Sequence, residues 1–250
     1  MTDGEHRHLP EALGKASEAG LHHRDVPGLA RVAVSSMRRA GAGAVGGGRW
    51  LADTMLEMIP HIPVRDLSTL QEHHYGATGG TLASELIRNA SRMTAAVGAT
   101  TGALAAAEDL SPPSWVVLPI ELLIETLVIA AIEMKLVAEL HEVYARPIPG
   151  HGADRALVLA RAWAERRGVS PRSLVTGGGL GDVLGRGTRH EIMRLMRRRL
   201  MSRTLRNTTS LAPFLIGAVA GAEVNRRATA NVGDAVVRDL AAVRPWERRQ

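Results

Sequence analysis

The stretch "SWVVLPIELLIETLVIAAIEMKLVAELHEVYAR", residues 114–146, decides the fold. It contains no glycine and a single proline, Pro119, close to its start. Proline is tolerated in the first turn of a helix, because the N–H that it lacks would have no helical partner there. The stretch is much longer than an ordinary strand. It predicts one long helix, the longest of the chain, at the centre of a helical bundle.

The composition supports a helical fold for the rest of the chain. Of the 250 residues, 45% are apolar but only 3% are aromatic, so a core must consist of Ala, Leu, Val, Ile and Met. Ala, Leu and Met favour helices, whereas aromatic and β-branched residues dominate sheets. No segment alternates with period two, and no repeat recurs at a fixed spacing. We predict an all-α, multi-helix bundle that ends in a small-residue helix with Gly-x-x-x-Gly spacing.

The polar, histidine-rich residues 1–27 are predicted to form a flexible N-terminal arm, and residues 28–250 a single helical domain. The first residues, "MTDGEHRHLPEALGK", are charged and lack an apolar segment, so we predict no signal peptide. The chain has no cysteine, which excludes disulfides, thiolate metal sites and a cysteine nucleophile.

Two stretches are apolar enough to raise the question of a membrane span, which needs about 20 apolar residues. Residues 115–132 include Glu121 and Glu125, and residues 211–224 are too few. We expect both to be bundle helices, with insertion into a bilayer as the open alternative.

Charges along residues 114–146 predict that this helix is amphipathic. At 100° per residue most of them fall within one arc: Glu121, Glu125, Lys135, Glu139 and Glu142. Glu133 points instead toward the apolar side. A buried carboxylate needs a partner, so we predict a salt bridge from Glu133 to an arginine of the later helices. A catalytic or proton-carrying role is the alternative.

The positive charge of the chain is concentrated in one segment. Residues 186–206 contain eight arginines and one acidic residue, a net charge of +7, whereas the whole chain carries +6. On a helix, Arg194, Arg197, Arg198 and Met201 share one face, with apolar residues opposite. This pattern fits the surface of an anionic membrane. Nucleic acid would accept the same charges, but no helix-turn-helix spacing or aromatic platform accompanies them. A solvated face is the third possibility.

Small residues recur every four positions near the C-terminus, at Gly217, Gly221, Asn225, Thr229 and Gly233. Such spacing lets a second helix approach closely, in membranes and in soluble bundles alike. We predict that this face packs on the long helix or on the helix predicted over residues 81–107. A shallow hairpin in a bilayer and self-association are the alternatives.

The sequence contains no complete catalytic or nucleotide-binding motif. "HEVYA" (141–145) and "HEIMR" (190–194) lack the second histidine of the zinc motif His-Glu-x-x-His. A metal site would have to be assembled from His61, His73, His141 and His151. "GGGLGDVLGRGT" (177–188) lacks the lysine of a phosphate loop and indicates a hinge. We predict no cofactor.

Taken in order, these features resemble the EcsC family of bacterial proteins. The shared features are a proline-started apolar-acidic helix ending in "ELHEVYARP", a glycine-rich loop, a basic helix, and a closing signature, which here is Pro213, Gly217, Gly221, Asn225, Thr229 and Gly233. The resemblance covers roughly residues 65–243. It departs from the family after Tyr144, where Gly and Asp usually follow and Ala145 and Arg146 stand here. The family is named for a gene beside those of an ABC transporter, so the resemblance implies a helical fold and a link to membrane processes.

We therefore predict a non-enzymatic helical module in the cytoplasm, peripheral to the inner face of the membrane. Its expected partner is an anionic membrane surface or a membrane protein such as a transporter, rather than nucleic acid. Assembly into a homo-oligomer is left open by the sequence. The alternatives are a hydrolase or metal-dependent enzyme that uses His and Glu of the bundle, and a nucleic-acid-binding accessory protein.

Overall fold

The computed structural model describes residues 4–19, 25–41, 49–107, 117–150, 152–166 and 212–242. These ranges contain helices and turns and no strand, which confirms the all-α prediction. The helices are α1 (Gly4–Ala19), α2 (Val26–Ala40), α3 (Arg49–Met58), α4 (Leu67–His73), α5 (Gly79–Ala107), α6 (Val117–Val143), α7 (Gly152–Arg166) and α8 (Ala212–Ala242), with a 3-10 turn at Ile59–His61.

Helix α6 lies at the centre of the described bundle. It contacts each of the other seven described helices, and every residue from 127 to 140 is buried. The prediction that this helix is amphipathic is therefore wrong over that stretch. Its stripe of charges is covered by neighbouring helices, so Lys135 and Glu139 lie in the interior together with Glu133.

The prediction of one long helix at the centre is not confirmed, because two other described helices are longer than α6. Helix α6 has 27 residues, but α5 has 29 and α8 has 31. The glycines of α5 and α8 do not end these helices, because the two helices pack against each other along most of their length. Packing of a helix face contributes more to helix stability than intrinsic propensity does.

Much of the segment that was predicted to form an N-terminal arm is helical in the structure. Residues 4–19 form helix α1, which contacts α2, α3 and α6. Leu9 and Leu13 of this helix are buried with exposed fractions of 2% and 0%. They lie four residues apart on one helical face, so burying them against the bundle stabilises the segment. The boundary at residue 28 itself stays a prediction.

Helices α5 and α8 form an antiparallel pair that is in closest contact at two glycines. A Cβ atom placed on Gly221 would lie 2.6 Å from the carbonyl oxygen of Gly98, and one placed on Gly98 would lie 2.7 Å from that of Gly221. Farther along the pair, Gly233 faces Ile87. The small-residue face of α8 therefore packs on the helix predicted over residues 81–107, which was one of the two predicted neighbours. None of the described helices is both long enough and apolar enough to span a bilayer.

Candidate functional site

The small-residue face of α8 brings polar side chains into the core of the bundle. Thr229 is fully buried, and its hydroxyl donates to Oε1 of Glu133 over 2.7 Å. Trp163 of α7 donates its indole N–H to the other oxygen, Oε2, over 2.8 Å. Glu133 is itself fully buried in α6. The donors described here are uncharged, whereas the sequence predicted an arginine in this place.

Thr94 of α5 extends this cluster to a fourth helix. Its hydroxyl lies 2.9 Å from the hydroxyl of Thr229 and is also fully buried. Because the single hydroxyl proton of Thr229 points to Glu133, Thr94 must be the donor between the two threonines. One carboxylate on α6 thus holds together side chains from α5, α7 and α8. We call Thr94, Glu133, Trp163 and Thr229 the buried polar cluster.

Asn225, one turn before Thr229, makes a second polar link to α6. Its amide nitrogen donates to Oε1 of Glu125 over 2.8 Å, and its backbone oxygen lies 3.4 Å from the hydroxyl of Thr94. Of the residues that resemble the EcsC signature, Gly221, Asn225, Thr229 and Gly233 all face α5 or α6. Pro213 and Gly217 belong to α8, but their surroundings lie outside what the structure describes.

A second set of charges surrounds the buried Lys135 and Glu139 at the other side of α6, beside a cavity of about 260 Å³. Arg65 makes two 2.8 Å hydrogen bonds to the oxygens of Glu139, and Lys135 lies 3.1 Å from the same carboxylate. Lys135 also donates to the carbonyl oxygen of Pro63 and lies 3.5 Å from Glu18 of α1. The two cations and two carboxylates compensate each other, so this arrangement tethers α1 and the residues before α4 to α6.

Among the described residues, His61, His73 and His141 do not form a metal site. No group of three potential metal ligands occurs among the described residues, and His151 lies outside them. The imidazole of His141 bonds through Nδ1 to the carbonyl oxygen of Arg146 over 2.9 Å and thereby closes the C-terminal end of α6. Burial lowers the pKa of His141 below its ordinary value. Nδ1 of His74, a neighbour of His73 in the sequence, lies 2.7 Å from Oε2 of Glu85.

The candidate contact face that the sequence singled out lies outside the described residues together with the whole segment 186–206, and it consists of Arg194, Arg197, Arg198 and Met201. Conversely, sequence reasoning missed the partners Arg65, Thr94 and Trp163. None of them belongs to a motif. The one available signal was indirect, since charges inside the apolar stretch 127–140 require partners.

The comparisons with known proteins add no relative. Neither the scan against protein-family models nor the searches of curated proteins and of solved structures finds a match. The resemblance to the EcsC family stays a prediction.

Proposed function

We propose that this protein is a non-enzymatic helical module that associates with an anionic membrane surface, at the inner face of the membrane, or with a membrane protein such as a transporter. The observation behind the proposal is the concentration of charge: residues 186–206 carry +7, and the rest of the chain together carries −1. Anionic lipids attract such a segment with about 1 kcal/mol per basic residue near the surface.

Several other cations of the described residues already have acidic partners. Arg65 and Lys135 both contact Glu139, and the partly buried Arg166 pairs with Asp239. These cations offer less charge to a distant partner. The unbalanced segment 186–206 is where an anionic surface would meet the most positive charge.

The first test measures co-sedimentation of the full chain with phosphatidylcholine vesicles, with and without phosphatidylglycerol. We expect binding only to the anionic vesicles, and binding that weakens with added salt. The triple variant Arg194→Gln, Arg197→Gln, Arg198→Gln should bind about 100-fold more weakly, as expected for the loss of three charges.

A control of equal charge is available on α2. Arg31, Arg38 and Arg39 are exposed, and replacing all three with Gln removes the same net charge from another part of the chain. If both triple variants lose binding equally, the segment 186–206 is not the contact. If the parent binds duplex DNA but not anionic vesicles, the nucleic-acid alternative replaces the proposal.

A further inference from the structure

A shallow groove of about 410 Å³ follows the seam between α5 and α8 on their outer side. Its lining includes Arg88, Ser91 and Arg92 from α5 and Arg226 from α8. We call these four residues the arginine groove. None of the four residues lines the cavity beside Lys135 or belongs to segment 186–206.

Two arginines of the groove have no partner in the described part of the chain. Arg88 and Arg92 are exposed, and neither makes a hydrogen bond or an ion pair with a described residue. They lie one helical turn apart, where like charges repel each other and weaken the helix. An anion bound between them would relieve this repulsion.

Arg226 contributes a third guanidinium from the opposite helix. Two hydrogen bonds of 2.7 and 2.9 Å to Glu223 hold it in place. The same carboxylate also accepts a hydrogen bond from Arg227. One acidic residue is thus shared by two arginines, so this side of the groove keeps a positive charge.

Ser91 supplies an independent indication of a ligand. The residue is 5% exposed, and its hydroxyl oxygen is buried without a hydrogen-bond partner among the described residues. A helical serine can donate to the carbonyl oxygen four residues earlier, as Ser84 does to Gly80 on the same helix over 2.8 Å. A buried polar group without a partner is rare and is often explained by a bound water or ion.

We propose that the arginine groove binds a phosphate group, with guanidinium N–H groups on the phosphate oxygens and the Ser91 hydroxyl as a further contact. The planar guanidinium group of arginine can form two parallel N–H···O hydrogen bonds to one phosphate group. The phosphate can belong to a soluble phosphate compound or to a phosphomonoester lipid headgroup. The site uses residues of α5 and α8, so it does not depend on membrane binding by residues 186–206.

The test measures binding of inorganic phosphate to the full chain at constant ionic strength. Affinity comes from calorimetric titration, and the Tm in phosphate is compared with the Tm in chloride. The double variant Arg88→Gln, Arg92→Gln should bind phosphate about tenfold or more weakly. The control double variant Arg31→Gln, Arg38→Gln loses the same charge on α2 and should bind as the parent does. Ser91→Ala should raise Tm without phosphate and still lower phosphate affinity. If Ser91 only packs in the core, Ser91→Ala changes Tm and leaves the phosphate affinity unchanged, which contradicts its role as a phosphate contact.

A second arm distinguishes the two sources of the phosphate group. Vesicles containing phosphatidic acid are compared with vesicles containing phosphatidylglycerol at equal surface charge. A preference for phosphatidic acid that the Arg88/Arg92 double variant loses identifies a lipid headgroup, whereas inorganic phosphate binding without that preference identifies a soluble compound. The proposal is overturned if neither kind of binding depends on Arg88 and Arg92 more than on the α2 control. The Arg194/Arg197/Arg198 variant should lose binding to phosphatidylglycerol vesicles while binding of inorganic phosphate persists, which separates this site from the proposed function.

Discussion

At the scale of single residues, Thr229 is the side chain on which the buried polar cluster depends most. Its hydroxyl donates a hydrogen bond to Glu133 and accepts one from Thr94, so the loss of this group removes two hydrogen bonds. Both neighbours are fully buried, so solvent cannot replace a lost bond. A buried group that loses its partner retains the full cost of its desolvation.

Replacing Thr229 with Val keeps the shape of the side chain and removes the hydroxyl. We expect the free energy of unfolding, measured by urea denaturation, to fall by about 1–3 kcal/mol. The control is Thr81→Val at an exposed position of α5, where the change should stay within about 0.5 kcal/mol. Equal effects at the two positions would show that the hydrogen bonds of Thr229 do not stabilise the fold.

At the scale of elements, the contact between α5 and α8 depends on the absence of two side chains. Gly98 and Gly221 allow backbone to approach backbone, and a Cβ on either would lie within 2.7 Å of the carbonyl oxygen of the other. Backbone atoms cannot move aside as the end of a flexible side chain can. The helices would have to separate, which would disturb the neighbouring bond from Asn225 to Glu125.

Gly221→Ala should therefore lower the free energy of unfolding by about 1–3 kcal/mol, as overpacking does, although alanine is favoured over glycine in helices by about 1 kcal/mol. Gly80→Ala, where a Cβ meets nothing within 4 Å, should be neutral or stabilising. Gly98→Ala combined with Gly221→Ala should cost less than the sum of the single changes, because one displacement of the helices relieves both clashes. A Gly221→Ala variant as stable as the parent would contradict this geometry.

At the scale of the whole molecule, α6 is a buried axis around which the other described helices pack, and α1 is one of them. Helix α1 is bound both by apolar contacts and by Lys135, which lies 3.5 Å from Glu18. The N-terminal helix is therefore part of the described core.

Leu13→Ala tests whether α1 belongs to the folded core. Leu13 is fully buried, so the change should lower the free energy of unfolding by about 2–5 kcal/mol, the usual range for a leucine removed from a core. Lys15→Ala, on the exposed face of the same helix with a side chain 76% exposed, should cost no more than about 0.5 kcal/mol. A small effect at both positions would restore the flexible arm that the composition predicted.

Some features follow from composition and spacing alone, because they depend on residues close together in the chain. The all-α class follows from the Ala, Leu and Met content, and the long helix over Val117–Val143 follows from a stretch without glycine. The four-residue step from Gly221 through Asn225 and Thr229 to Gly233 places these residues on one face and correctly predicts a close helix contact.

Other features are decided only when the chain is packed. Periodicity shows which residues share a face, but not how many faces are covered. Helix α6 has a charged stripe, yet it is buried on all sides between residues 127 and 140. The sequence also does not show which polar residues will pair, since Arg65 bonds to Glu139 across 74 positions and Thr229 bonds to Glu133 across 96. Burial makes such pairing obligatory, but which residue supplies the partner depends on where the tertiary fold places each helix.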